Sequence, residues 1–317
     1  MALNLSDLSV DEIRQRYGEG GAALTQQVLN SLRRDPRGGV RKLYETLRRR
    51  HERERDERVR TDGMLNFERI LWKTGVRRVA GVDEVGAGPL AGPVVAAAVV
   101  FPPGVELYGV DDSKKLDPEQ RARMDAEIRK RATGIGIGAA DVAEIDRLNI
   151  YHAALLAMRR AVEALPEPPE HVLVDARTIP GMSVPQNPFT KGDGINFSIA
   201  AASIVAKTYR DRLMEELDAR YPEYGFAKHK GYSTPEHEDA IRKYGPCDMH
   251  RMSFTYIKEL CGQYSSFFYE LKDQLAAART PSDLDSFEKT FAERRSVLDD
   301  DEQRKLKLMV TRRWKTL

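Results

Sequence analysis

Two short runs rich in β-branched residues, Val79 to Val82 and Val94 to Phe101, are joined by a loop holding Asp83, Glu84, Gly86, Gly88, Pro89, Gly92 and Pro93. Apolar runs of this length, bounded by glycine and proline, read as strands, so the chain must be built round a sheet. Neighbouring strand residues face opposite sides, so Asp83 and Glu84 can serve one site only where the pleat breaks. The glycines supply such a break and, lacking a Cβ, let a ligand's sugar or backbone approach the main chain. On local physics alone the acidic pair reads equally well as a solvated strand end beside a turn.

Gly134 to Ala140 is a third strand-like run, and three in succession predict an antiparallel meander over Arg78–Asp83, Val94–Phe101 and Gly134–Ala140. Ile145, Leu148, His152, Leu155, Leu156, Arg159, Val162 and Leu165 then recur at helical spacing, up to a proline-rich break at Pro166. Val172-Leu173-Val174-Asp175 comes next as a buried strand reached through a helix, which predicts a crossover and therefore a mixed sheet. A second long helix is expected from Phe197 to Ala219, with Ile199, Ala202, Val205, Ala206, Tyr209, Leu213 and Leu217 on its apolar side.

The flanks differ from this centre. Residues 1–75 predict charged helices, separate from the strand-rich centre, because Arg48 to Arg58 alternates basic and acidic residues in the manner of a solvated helix laced with i,i+4 pairs. Residues 259–317 predict a second helical extension, with Thr280 or Ser282 capping a helix beyond Pro281. The central domain is expected over 76–258. The net charge of +2 across 317 residues does not announce a nucleic-acid binder, so any such footprint must be local. Cys247 and Cys261 are too few for a zinc site and read as structural thiols. No apolar stretch reaches the ~20 residues of a membrane span, and the N-terminus lacks a secretion signal, so a cytoplasmic location is expected.

Three further groups of residues carry chemistry. Asp175 closes an apolar strand, a common place for a metal ligand, although a turn-starting Asp looks the same. Asp193 precedes the second long helix, where a capping role competes. Ser203 and Lys207 lie four apart on one helix face among small alanines.

The segment Asp83-Glu84-Val85-Gly86-Ala87-Gly88-Pro89-Leu90-Ala91-Gly92-Pro93 resembles the signature of the ribonuclease HII (type 2 ribonuclease H) family, whose loop usually reads Gly-Arg-Gly where this chain has Gly86-Ala87-Gly88. The resemblance covers roughly Arg78 to Lys258 strongly and the N-terminal helices weakly. It implies an α/β, ribonuclease H-like fold with a mixed central sheet flanked by helices, plus the two helical extensions. It implies Asp83, Glu84, Asp175 and Asp193 as carboxylates holding Mg²⁺ or Mn²⁺, ions that favour oxygen ligands. Ala176 follows the third of these, where the family more often has glycine. The family's Asp-Ser-Lys-Lys-Leu segment falls on Asp112 to Leu116, implying phosphate contacts from Ser113 and Lys114. Its Ala-Ala-Ser and Lys pattern places Ser203 and Lys207 beside the scissile strand, and its Lys-Gly-Tyr element places Tyr232 at the ribose. Arg210 and Asp211 are expected in supporting salt bridges, and His250-Arg251 in structural support of the site.

The implied activity is endonucleolytic hydrolysis of RNA in RNA–DNA hybrids and at ribonucleotides embedded in duplex DNA, leaving 3′-hydroxyl and 5′-phosphate ends, by a monomeric enzyme. Main-chain groups of Gly86, Ala87 and Gly88 would still read the 2′-hydroxyl, while the missing arginine would weaken affinity or single-ribonucleotide preference. A ribonuclease HIII-like hybrid nuclease and a hybrid-binding module with reduced turnover are the rivals; four intact carboxylates speak against the binder. Gln263 to Phe268 vaguely resembles a peptide that docks on a sliding clamp, although an amphipathic helix start explains it better.

Overall fold

The computed structural model describes residues 5–19 and 21–316. The N-terminal segment is helical: α1 (Val10–Ile13), α2 (Gln26–Arg34), α3 (Gly38–Met64) and α4 (Asn66–Lys73). Along α3 the expected i,i+4 pairs form between Arg48 and Glu52 and between Arg50 and Glu54, while Arg60 pairs with Glu57 three residues away.

The sheet has five strands, β1 (Val79–Val85), β2 (Val94–Val100), β3 (Gly134–Ala140), β4 (His171–Asp175) and β5 (Gln186–Phe189), in the order β3-β2-β1-β4-β5. The first three form the antiparallel meander, and β4 joins β1 in parallel, so the sheet is mixed. β5 was not expected from its sequence, Gln-Asn-Pro-Phe. It pairs in parallel with β4 at the sheet edge, the position where a strand tolerates the missing N–H of Pro188.

The crossovers put helices on both faces. Between β2 and β3 lies α5 (Pro118–Arg131); between β3 and β4 lie α6 (Val142–Leu148) and α7 (Ile150–Glu163). α8 (Phe197–Arg220) follows β5. Ala80, Val82, Val94, Ala96 and Ala98 bury one face against Ala153, Ala157, Met158 and Ala161 of α7. Ala97, Val99 and Phe101 bury the other against Phe197, Ala200, Ala201 and Ile204 of α8. α8 lies so close to β1 that a Cβ on Gly81 would sit 2.1 Å from the Ser198 carbonyl carbon.

Beyond α8 come α9 (Phe226–His229), α10 (Pro235–Tyr244) and α11 (Thr255–Leu260), then α12 (Ser266–Ala277), α13 (Pro281–Glu293) and α14 (Asp300–Trp314). The last three share their own apolar core. Thr280, not Ser282, caps α13, in a capping box with Asp283. Phe267 and Phe268 are buried in that core, so the segment from Gln263 presents neither aromatic anchor to a clamp.

The N-terminal helices are less separate than their charge suggests. Met64 and Leu65 enter the core beneath α8, and the buried Glu68 carboxylate accepts bonds from the Ser198 amide at 2.9 Å and Asn196 Nδ2 at 3.3 Å. Glu57 accepts from the Gly109 amide at 2.7 Å, and Arg60 donates to the Val110 carbonyl at 2.6 Å. The end of this segment thus braces the two loops that carry Lys114 and Asp193.

Candidate metal centre

Asp83 and Glu84 lie on β1, and Asp175 ends the neighbouring β4. The last pair of the β1–β4 ladder is Val82 with Val174, so all three acids lie just past it, while β1 continues beside β2 as far as Val85. The pleat therefore persists through the acidic pair, contrary to the expected break there. It is the end of the parallel ladder that opens the space. One carboxylate oxygen from each of Asp83, Glu84 and Asp175 lies within 4.8 Å of the other two.

Main-chain donors hold the cluster in place. The Glu84 amide donates to Asp83 Oδ1 at 2.8 Å, and the Gly192 amide donates to Asp175 Oδ1 at 2.6 Å. That second bond ties β4 to the turn carrying Asp193, where Lys191 takes a left-handed conformation at φ +57°. Asp193 is buried and accepts a bond from Lys114 Nζ at 3.1 Å. It stands beside the triad rather than within it.

Electrostatically the cluster is under strain. Burial, then the charges of Glu84, Asp175 and Asp193, push the Asp83 carboxyl well above the usual carboxylate range. Burial and Asp175 raise Glu84, and burial, together with Asp193, raises Asp175. For Lys114, partial burial opposes the charge, but Asp193 and its neighbours outweigh it and raise the ammonium above its ordinary value. Glu84 Oε2 is buried with no hydrogen-bond partner. A divalent cation fits this donor set: hard oxygens, mutual repulsion and an orphaned carboxylate oxygen all call for positive charge.

The glycine loop is held from beneath. Arg251, fully buried, donates to the carbonyls of Gly86 at 2.6 Å, Ala87 at 3.2 Å and Gly92 at 2.7 Å. Arg210, also fully buried, donates to those of Pro93, Ala91 and Lys230. No peptide bond here is cis. In a trans peptide the N–H points away from its carbonyl, so turning the Gly86 and Ala87 carbonyls inward turns the Ala87 and Gly88 amides outward. Gly86 itself has φ +91°, and a Cβ there would lie 2.3 Å from Arg210 Nε. Exposed Tyr232 flanks the loop, 3.7 Å from where a Gly88 Cβ would be.

Ser113 and Ser203 share a buried hydroxyl–hydroxyl bond of 2.8 Å, and the Ser203 hydroxyl near Asp83 works against the rise of that carboxyl. Lys207 is turned to Asp211 at 2.6 Å, one turn further along α8. Asp211 makes the expected salt bridges, to Lys207 and to Arg121 at 3.4 Å. Arg210 makes none among the described residues; its partners are carbonyls, because its fully buried head meets loop backbone and no carboxylate. Cys247 and Cys261 are free thiols, and the Cys247 amide donates to His250 Nδ1 at 2.9 Å.

This architecture has known relatives. Residues 80–257 match the Ribonuclease HII family and residues 9–72 the Ribonuclease HII N-terminal domain. The chain is 50% identical over 259 residues to ribonuclease HII of Myxococcus xanthus, covering 81% of this chain and 88% of the relative.

The chain belongs to the ribonuclease HII family.

Its members are metal-dependent endoribonucleases that hydrolyse RNA in RNA–DNA hybrids. Ribonuclease HII of Geobacillus thermodenitrificans is 52% identical over 234 residues, 74% of this chain and 90% of that one. Among solved structures, ribonuclease H2 of Pyrococcus horikoshii superposes with a TM-score of 0.50 at 26% identity, covering 59% of this chain and 98% of that chain. No helix among the described residues is long and apolar enough to cross a membrane.

Some residues that shape this ribonuclease HII site gave no advance sign. Arg121 is buried and donates to the Ser113 carbonyl at 2.8 Å, yet α5 reads as a solvated helix of mixed charge. Tyr151 and Arg177, whose guanidinium lies 4.4 Å from the tyrosine ring centroid, also border the acid cluster. They belong to no motif.

Proposed function

We propose that this chain cleaves both the RNA strand of hybrids and single ribonucleotides embedded in duplex DNA, using two divalent cations, Mg²⁺ or Mn²⁺, held by Asp83, Glu84, Asp175 and Asp193. The observation that carries this reading is the convergence of three carboxylate oxygens within 4.8 Å, one residue bearing an orphaned buried oxygen. When bound, such ions neutralise charge on the attacking and leaving oxygens and make water a better nucleophile.

The chain's own groups do the rest. Lys114, already beside Asp193, offers an ammonium to a phosphate oxygen. The outward amides of Ala87 and Gly88 offer donors to a ribose 2′-hydroxyl, the group that distinguishes RNA from DNA at one sugar. Tyr232 stands beside them with room to stack on that sugar. Ser203, fixed by its bond to Ser113, stands near the buried Asp83 and favours its charged form.

The test is cleavage of three substrates: a uniform hybrid, a duplex with one embedded ribonucleotide, and an RNA–DNA junction, each with Mg²⁺ or Mn²⁺. Cleavage of the second 5′ to the ribonucleotide, with 3′-hydroxyl and 5′-phosphate ends, is expected. Cleavage of the uniform hybrid alone overturns the single-ribonucleotide assignment.

A further inference from the structure

Ala87 and Arg177 line one cavity. Its volume is about 350 Å³, it opens beside Glu84 and Asp175, and Leu155 and Met158 of α7 form part of its apolar wall. From the glycine loop it receives only the Ala87 methyl, where the family's pattern would bring a guanidinium. From the loop after β4 it receives Arg177, its one cationic lining residue.

Arg177 is placed by three features. Its amide donates to the Asp175 carbonyl at 2.7 Å, Ala176 between them is left-handed at φ +58°, and its guanidinium carbon stands 4.4 Å from the centroid of Tyr151. A guanidinium stacked on a ring is fixed in direction while its N–H donors, which lie in its own plane, stay available. Among the described residues it makes no ion pair within 4.0 Å, although its charge reaches Glu84 closely enough to oppose the rise of that carboxyl. An exposed, oriented, unpaired arginine at the rim of a carboxylate cluster suits a phosphate, whose oxygens match the guanidinium fork.

We propose that Arg177, braced on Tyr151, is a substrate-positioning residue that binds a backbone phosphate next to the scissile one, supplying from β4 the charge that the glycine loop lacks at Ala87. The assignment rests on the hybrid-nuclease reading above. It implies that the change at position 87 moves a phosphate contact across the cavity rather than deleting it.

The experiment is equilibrium binding of the full chain, in chelator, to a DNA duplex with one embedded ribonucleotide over a salt series. Each phosphate contact contributes about 0.9 to the slope of log affinity against log salt. Arg177→Ala is expected to reduce that slope by about 0.9 and weaken binding roughly tenfold at fixed salt. Arg177→Lys keeps the slope. Adding Ala87→Arg to Arg177→Ala restores it, and with metal present Arg177→Ala raises KM more than it lowers kcat. An unchanged slope in Arg177→Ala, or a slope that Ala87→Arg does not restore, overturns the proposal. Since Arg177 is exposed, these variants keep the fold. Failure of the nuclease reading shows itself separately: the unmodified chain would then leave the same duplex uncut in Mg²⁺, whatever its binding slope.

Discussion

The carbonyls of the Gly86–Pro93 loop meet two buried guanidiniums, Arg210 and Arg251, whereas the carboxylates of Asp83, Glu84 and Asp175 at the loop's mouth face chiefly one another. Both regions put charge out of water, and they settle it differently. In the loop, five carbonyl dipoles of residues 86–93 satisfy two cations, so the region is complete when the chain has folded. In the acid cluster, burial and repulsion raise three carboxyl groups and leave Glu84 Oε2 without a partner, so that region is complete only with a ligand. The rigid loop and the unfinished acid cluster sit side by side, and under the proposed function the first reads the sugar while the second holds the ions.

The sharpest way to break this comparison is to remove a charge from the unfinished side. Asp83→Asn is expected to cut hybrid cleavage by about 10³-fold or more, the scale of several kcal/mol of charge stabilisation. Single-turnover cleavage in saturating Mg²⁺ measures it. A variant within tenfold of the native rate would remove Asp83 from the centre.

On the finished side the corresponding change strikes the fold. Arg251→Ala strands the buried carbonyls of Gly86, Ala87 and Gly92 and opens a hole, for an expected loss of about 3 kcal/mol in urea unfolding. Burial, with Arg210 nearby, already pulls the Arg251 guanidinium down to about 9. Its cost is accepted because the carbonyls need it. An Arg251→Ala variant of native stability would show that the loop is held by something other than its guanidinium.

The third expectation concerns pH. A carboxyl whose folded-state pKa is raised binds its proton more tightly folded than unfolded, so it favours the folded state below the unfolded pKa and loses that contribution as pH rises through the folded pKa. The metal-free chain should therefore lose stability from this cluster as pH climbs out of the acid range. Asp83→Asn should flatten that trend and raise Tm in chelator near neutral pH by about 1–2 °C, the equivalent of about 1 kcal/mol in a chain of this size. Thermal melts with and without Mg²⁺ decide it, and a lower Tm for the variant in chelator would deny that the acids repel.

Much of this was legible in the residues. The meander followed from β-branched runs between glycines and prolines, and α8 from apolar spacing, because those signals are local; the spacing from Ile145 to Leu165 reads as one helix, whereas Asn149 at φ +69° divides it into α6 and α7. β5 was not, since Gln186 to Phe189 carries no strand preference and is recruited by pairing to β4. Nor was the burial of Glu68, whose partners Asn196 and Ser198 lie about 130 residues away. The acids were legible by type, but their meeting depends on where the β1–β4 ladder stops, which no residue in either strand announces. Arg210 reads as a salt-bridge partner because sequence shows its charged neighbour Asp211 and hides the loop carbonyls that it reaches across the fold.

Ala176 offers the finest test of the difference between the two regions. It follows the proposed ligand Asp175 with φ +58°, a conformation in which its Cβ crowds the backbone at a cost of about 1 kcal/mol. Its amide donates to the Phe189 carbonyl at 2.8 Å, so the turn is fixed by pairing with β5 and cannot relax without losing that bond. In the glycine loop the comparable positive-φ positions, Gly86 and Gly92, carry no such strain. Ala176→Gly removes the crowding but lets the unfolded chain gain entropy, which returns roughly half of the benefit. A net gain of about 0.5 kcal/mol in urea unfolding in chelator is expected, with hybrid cleavage within about twofold of native, because the carboxylate's own anchor, the Gly192 amide, is untouched. A destabilised variant would mean that the Ala176 methyl makes contacts worth more than its strain, and that the acid side stores its cost in charge alone.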